Sequence, residues 1–433
     1  VDFGSRVRYA DDMIIKADDI LTLAQDDFSP GQIRIDAQRI AEVSSNVNDS
    51  DEKVLDLKNI FGPNRRAVII PGLVDAHCHL ELSGLAGKIK LRSGDTLVDW
   101  LMKIVLKRPM LNSTQDRWVK IGADQALRSG TTTVGDISAN NRSWQTLIHH
   151  PLRKVCFAEV LGFGPKAPRA IPSLMERLAE MPMDTEMFYR GVSPHAPYST
   201  SEIVYRQAME LANQNHWRLT THLAEDPQEL EFVRTGGGRW RTILKGIFAW
   251  DESYKPSGLS PIAWAREIGL LDRPFSLAHV NYANDDDIAI LAQSSASVVY
   301  CPLAHTYFHH KYHRYREMIS AGVNVALGCD SLACSPSLSM FDQMRSVYAA
   351  GGLDARDVLK LATLNGAESL QLSNQIGSLE PGKFADILIL SVNREISDDG
   401  MVEAVFQPDA QLEAVMIGGQ FVHLRDQSLF FSR

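Results

Sequence analysis

The stretch "PGLVDAHCHLELSGLAG" (71–87) places two histidines, His77 and His79, one residue apart at the end of an apolar run. Side chains alternate along a strand, so both imidazoles would point to one face, about 6.6 Å apart in backbone rise, with Cys78 on the other face. Two such rings can share one metal ion. A single histidine at a strand end is ordinarily a hydrogen-bonded polar residue. The reading therefore turns on what stands at the ends of the neighbouring strands.

Outward from this stretch, apolar runs rich in β-formers recur: "RAVIIPGLVDAHCH" (66–79), "TTTVGDI" (131–137), "KVCFAEVLG" (154–162), "YRGVSPH" (189–195), "RLTTHLAE" (218–225), "FSLAHVNY" (275–282), "SVVYCPL" (297–303) and "VNVALGCDS" (323–331). Helical patterns lie between them, such as "STQDRWVKIGADQALRSG", with Ser113 or Thr114 as candidate cap and Gly130 at its end, and "SEIVYRQAMELANQN". Eight alternating units over roughly 270 residues predict an α/β fold, a (β/α)8 TIM barrel, whose sites lie at the C-terminal ends of the strands. The flanks differ. Extended runs such as "GQIRIDAQRIAEV" before the barrel and "FADILILS" and "LEAVMIGGQFVHL" after it read as β, and neither flank has enough apolar material for a core of its own. The expectation is a small flanking β-sandwich domain built from residues 1–70 and 376–433, beside a barrel over 71–375. The longest irregular segment, 234–261, is a candidate lid on the catalytic face.

The strand ends carry a constellation: His77 and His79 on the first strand, His195 on the fourth, His222 with Glu225 on the fifth, His279 on the sixth, His305 on the seventh and Asp330 on the eighth. His77, His79, His222 and Asp330 make a set of three nitrogens and one oxygen that leaves an open position for water. Their joint occurrence outweighs the ordinary reading of any one of them, so a metal site is expected. Cys78 and Cys329 alternate to the other face and read as packing. His309, His310 and His313 fall in a polar segment that reads as surface or lid structure.

Composition narrows the partners. A formal charge of −9 disfavours nucleic acid and anionic membrane, which call for clustered Lys and Arg, and favours a small-molecule substrate. No uncharged apolar run reaches the ~18 residues of a spanning helix. The first fifteen residues carry Asp2, Arg6, Arg8, Asp11 and Asp12 where a signal peptide would be apolar, so a cytoplasmic location is expected. Five scattered cysteines do not resemble a disulfide framework and are expected to be reduced.

The motifs "PGLVDAHCHLELS", "SPHAPYSTS", "THLAED", "LAHVNY", "VVYCPLAHTYF", "GVNVALGCDSLACSPSLSMFDQMR", "LATLNGAESL" and "IGSLEPGKFADILIL" resemble, in order, the signatures of the amidohydrolase superfamily. The resemblance runs from about residue 64 to 420 and is strongest to the branch of S-adenosylhomocysteine, aminodeoxyfutalosine and guanine deaminases and triazine hydrolases. It implies a barrel with a β domain from both termini and one divalent metal, zinc first, with iron or manganese as alternatives, held by His77, His79, His222 and Asp330. Strand four ends with His195 and no lysine, which favours one metal over two. His305 stands where many relatives have Asn, and "GCDS" replaces the commoner "GTDS".

A divalent ion lowers the pKa of water toward ~7 and supplies hydroxide at neutral pH. Asp330 can bind the ion and take the water proton, His279 can hold the water or the developing oxyanion, and Glu225 is the second acid/base. For Glu225 to reach the site from three residues beyond His222, the strand must end in "LAE". Its ordinary reading is a helix-start acid ahead of "PQELEF". His195 and His305 are assigned to substrate contact, and Trp100, Trp240 and Trp250 read as core. The expected activity is deamination of an adenine-type nucleoside or related nitrogen heterocycle with release of ammonia. Alternatives are hydrolysis of a cyclic amide or of a chloro- or amino-substituted triazine, and a catalytically silent scaffold. The flanking domain and the habit of the resembled family are compatible with a homo-oligomer.

Overall fold

The apolar run 66–79 breaks at Gly72 into two strands that belong to different sheets. This departs from the single strand expected, and the reason is local: a Cβ on Gly72 would stand 2.2 Å from Thr132 Oγ1 and 2.4 Å from its Cγ2. Only glycine lets the chain pass Thr132 so closely as it leaves one sheet for the next. The computed structural model describes residues 12–24, 26–46, 53–58, 60–397 and 400–430. Its strands are β1 (Asp12–Ala17), β2 (Asp19–Ile20), β3 (Gly31–Asp36), β4 (Arg39–Ser44), β5 (Lys53–Asp56), β6 (Arg65–Pro71), β7 (Leu73–Cys78), β8 (Thr131–Ser138), β9 (Arg153–Val160), β10 (Phe188–Pro194), β11 (Arg218–Leu223), β12 (Ser276–His279), β13 (Ser297–Tyr300), β14 (Asn324–Leu327), β15 (Ile387–Asn393), β16 (Gln411–Ile417) and β17 (Gln420–Leu424).

Strands β7 to β14 form one parallel sheet in sequential order, the (β/α)8 barrel expected. It closes where β7 meets the end of β14. Asp330 N donates to His77 O at 3.0 Å and His79 N donates to Asp330 O at 2.8 Å, with Cys78 bridging Asp330 in parallel. Each barrel strand is buried on both faces, which is why the runs read as nearly continuous apolar segments. The helix Gln115–Arg128 shows how the outer ring is made: Val119, Ala123, Ala126 and Leu127 recur at helical spacing and are buried against the barrel.

Both chain flanks build the β-sandwich. One sheet has the order β4-β3-β1-β5 and the other β17-β16-β15-β6-β2. Ile15, Ile33 and Ile35 of the first meet Ile69, Ile387, Ile389 and Met416 of the second in one core. On the five-stranded sheet the alternation is clean: Ile69, Ile387 and Ile389 face the sandwich interior, whereas Val68, Ile70, Leu388 and Leu390 face the barrel. Arg153 of β9, with no exposed surface, pairs with Asp386 at 3.0 Å across that junction.

The 234–261 segment is less irregular than its sequence suggests, because Gly238–Gly246 is a helix. Trp240, Ile243 and Leu244 lie at the i, i+3, i+4 spacing of one face, a pattern that the three preceding glycines obscure. Trp240 stacks on Tyr198 at 3.8 Å and 5°, and Trp250 packs with Phe163 and Tyr254. Among the described residues, no helix is long and apolar enough to cross a membrane.

The tight passage at Gly72 has a measurable consequence. Gly72→Ala should lower the stability of the whole chain by about 1–3 kcal/mol, the usual cost of forcing atoms into a packed site. Denaturant unfolding followed by circular dichroism measures it, and an unchanged midpoint would mean that Thr132 moves aside freely.

Candidate active site

The barrel mouth gathers histidines because several strands end in one. His77 is 1% exposed, and both its ring nitrogens are buried without a hydrogen-bond partner. A buried, unpaired ring nitrogen is costly, so its environment points to something that it binds. Ring centroids of His79, His222 and His279 lie 5.0, 4.9 and 5.3 Å from that of His77. His79 Nε2 is 3.2 Å from His222 Nε2 and 3.9 Å from Asp330 Oδ1. Two nitrogens bound to one zinc at a tetrahedral angle stand about 3.3 Å apart, so the separation fits a shared ion. Donor atoms of His77, His79 and Asp330 lie within 4.8 Å of one another, as do those of His77, His222 and His279.

The protonation pattern suits that use. Burial, reinforced by the neighbouring rings, pushes His77, His79 and His279 well below the ordinary histidine range. Burial likewise lowers His195 and His222 to about 4. These rings are therefore neutral at pH 7 and keep a lone pair each. In His222 the choice of nitrogen is fixed, because Nδ1 lies 2.9 Å from the carbonyl of His195 and must be the donor, which leaves Nε2 facing the cluster. Burial also raises Asp330 to about 7, and its Oδ2 accepts from Cys334 Sγ at 3.1 Å. Asp75 lies behind the seam and accepts from Cys329 N at 3.0 Å and His77 N at 3.3 Å.

Glu225 reaches the mouth because β11 stops at Leu223 and Ala224 turns left-handed, with φ 51°. Its Oε1 comes 3.5 Å from His279 Nε2, and the residue is only 6% exposed. Burial, then the like charges of Asp330, Glu229 and Asp226, push its carboxyl well above the usual range. The helix-start role that sequence offered for Glu225 falls to Asp226, whose Oδ1 accepts from Glu229 N at 3.0 Å. His279 itself adopts φ 71° and the next residue, Val280, φ 50°, so β12 also ends in a left-handed turn.

His195 lines the same cleft, with Nδ1 2.6 Å from Ser199 Oγ and Nε2 3.9 Å from Glu159 Oε1. His305 stands elsewhere, in the helix Pro302–Tyr307, with its ring 5.4 Å from His310 and 5.8 Å from His313. His309 is exposed, but His313 is 2% exposed and its Nε2 donates to His279 O at 2.8 Å. The surface reading of that trio is thus corrected for His313, whose ring the aromatic residues Tyr300 and Tyr315 cover.

The cleft has an apolar wall of Leu82, Trp100, Leu101 and Ile104 and a polar wall of Glu81, Arg108 and Glu159. Its space is about 590 Å³ including the open mouth. Glu81 and Arg108 form an ion pair at 2.5 Å. Trp100, read as core, lines the cleft, whereas Trp240 and Trp250 belong to the aromatic cluster behind Tyr198. Glu159 ends the third barrel strand, "FAEV", and was within reach of the same strand-end reasoning that found the histidines.

A model of the amidohydrolase family matches residues 68–422. The chain belongs to the amidohydrolase family. It is 28% identical over 354 residues to a 5-methylthioadenosine/S-adenosylhomocysteine deaminase of Thermoanaerobacter pseudethanolicus, covering 76% of this chain and 74% of the relative. It superposes on the Helicobacter pylori aminofutalosine deaminase, solved in complex with methylthio-coformycin, with a TM-score of 0.82 at 21% identity, covering 95% of this chain and 100% of the other. A Xanthomonas campestris adenosine deaminase with bound zinc gives a TM-score of 0.78 at 22% identity over 95% and 93% of the two chains. The two superpositions establish the fold of this amidohydrolase.

Removing one donor tests the cluster. His77→Ala is expected to bring the metal content of purified protein well below about one ion per chain, since the remaining donors bind a divalent ion less tightly. Elemental analysis reads this directly, and undiminished content would put the ion elsewhere.

Proposed function

We propose that this chain is a metal-dependent aminohydrolase that removes the exocyclic amino group of an adenine-type nucleoside, with water as co-substrate and ammonia as product. The observation that carries the reading is the Glu225–His279 pair, 3.5 Å apart, facing the donors of His77, His79, His222 and Asp330 within one cleft. Those four residues would hold one divalent ion, zinc in the first instance, in keeping with the zinc-bound relative of the same fold. Such an ion supplies hydroxide at neutral pH by lowering the pKa of water toward ~7.

The chain's own residues handle the protons. Asp330, held by Cys334 at one oxygen, presents the other to the attacking water and takes its proton. Glu225, kept protonated at neutral pH by burial and its acidic neighbours, gives a proton to the ring nitrogen beside the attacked carbon. That carbon becomes tetrahedral, and His279, neutral and within reach of Glu225, keeps the incoming oxygen in place. The amine leaves as ammonia after taking the proton held by Asp330, and as the ring carbon keeps the oxygen as a carbonyl the hydroxyl proton returns to Glu225, which restores both acids. His195, beside Glu159 on the cleft wall, contacts the substrate beyond the reacting ring.

The apolar wall of Leu82, Trp100, Leu101 and Ile104 suits a flat ring with an extended 5′ group, the class named in the relatives acting on 5-methylthioadenosine, S-adenosylhomocysteine and aminofutalosine. Contacts to that remote group help orient the reacting ring.

Two measurements test the reading. Glu225→Gln should keep the metal and lose roughly 10²–10⁴ in turnover, the range of general acid–base catalysis; a fully active variant, or one without metal, would reassign the residue. Ammonia release from a 5′-substituted adenosine should exceed that from adenosine, free adenine and guanine in kcat/KM. A preference for guanine or a triazine by more than about tenfold, some 1.4 kcal/mol, would retain the chemistry and overturn the nucleoside assignment.

A further inference from the structure

We propose that Glu229 is a positioning residue for catalysis: its carboxyl group holds the left-handed turn that carries Glu225 over the barrel mouth. The proposal rests on the reading of Glu225 as the group that moves the proton.

Glu229 has no exposed surface and lies in the first turn of the helix Pro227–Thr235. Its side chain reaches back across the helix start and spends both oxygens on the turn. Oε1 accepts from Ala224 N at 2.7 Å, and Oε2 accepts from Glu225 N at 2.8 Å. The helix does not need this carboxyl group as its cap, because Asp226 already accepts from Glu229 N at 3.0 Å. What does need support is Ala224, whose φ of 51° is disfavoured for any residue with a Cβ. Two hydrogen bonds from consecutive N–H groups fix that conformation and with it the direction of the Glu225 side chain.

The far side of the turn is pinned to the strand that ends in His279. Asn281 Nδ2 donates to Glu225 O at 3.0 Å, and Tyr282 N donates to Ala224 O at 3.2 Å. Glu225 is thus gripped from both sides, with Glu229 supplying the two contacts on the helix side. Burying a third acidic side chain beside Glu225 and Asp226 is unfavourable for stability alone, so an apolar side chain would serve a purely structural role better. A glutamine at 229 has the same shape but one acceptor instead of two, and would set an amide N–H against a backbone N–H.

A double-mutant cycle with Glu229→Gln and Glu225→Gln tests this, read as kcat, KM, metal content and unfolding midpoint of the full chain with its metal. Glu229→Gln is expected to lower kcat by about 10- to 100-fold, with KM within about threefold and metal content unchanged. In the Glu225→Gln background the same substitution should change kcat by less than about twofold, because the side chain that it positions no longer moves a proton. Losses that multiply in the double variant, or a raised KM with kcat intact, would overturn the proposal. Wild-type turnover in Glu225→Gln alone would overturn the assignment of Glu225 itself, and the positioning role with it. Should Glu229→Gln fail to fold, Glu229→Asp, which keeps the carboxyl group but is one methylene short of the two N–H groups, takes its place in the same cycle with the same expected pattern.

Discussion

The structure depends on how the barrel closes. A sheet of eight strands has two edges, and here they are joined by two backbone hydrogen bonds in which Asp330 is both donor, to His77 O, and acceptor, from His79 N. The seam is therefore made of the same three residues whose side chains form the heart of the cleft. Joining the first strand to the last brings together groups more than two hundred and fifty positions apart in sequence, and fixes their spacing by backbone geometry and not by side-chain chance. Asp75, under the seam, receives the N–H groups of His77 and Cys329 and so holds both edges from behind.

Burial then sets the chemistry. Imidazoles removed from water lose their affinity for protons, while carboxyls removed from water retain theirs, so the same desolvation that keeps His77, His79 and His222 neutral keeps Glu225 protonated. One set becomes lone-pair donors and the other a proton source, side by side. Several residues nearest the chemistry adopt a conformation that is unfavourable for residues with a Cβ: Ala224, His279, Val280 and Asp330 all have positive φ. These left-handed residues end three strands at the rim and turn side chains inward that a continuing strand would send to alternate faces.

Much of this was legible in sequence, for physical reasons. Parallel strands buried on both faces give unmistakable apolar runs, and histidines placed at the ends of such runs can converge only at the barrel mouth. Glu225 could be placed because its distance of three residues from His222 demanded an end to the strand, which Ala224 supplies. Less was legible where a signal is carried by contact alone. The break at Gly72 is hinted at by the Pro71-Gly72 dipeptide, but why only glycine serves there follows from the proximity of Thr132, about sixty residues away. The ion pair Glu81–Arg108 and the buried His313 carry no local sequence signal of their place, and only packing against the cleft or against Tyr300 distinguishes them. His305 followed the strand-end rule yet stands with His310 and His313, because the chain enters a helix at Pro302 before reaching it.

The five-stranded sheet of the flanking sandwich carries a further consequence. Its strands β6 and β15 present one row of side chains to the sandwich core and the alternate row to the barrel core, with the Arg153–Asp386 pair sealed between. A layer that serves two interiors cannot be peeled from either without exposing the other, so the two bodies are coupled in folding and should melt in a single cooperative step. The strand that leads into His77 is the direct continuation of that layer. Loosening of the sandwich is thereby transmitted along the backbone to the first donors of the cleft, and the sandwich strands act as a mechanical brace for a site at the other end of β7.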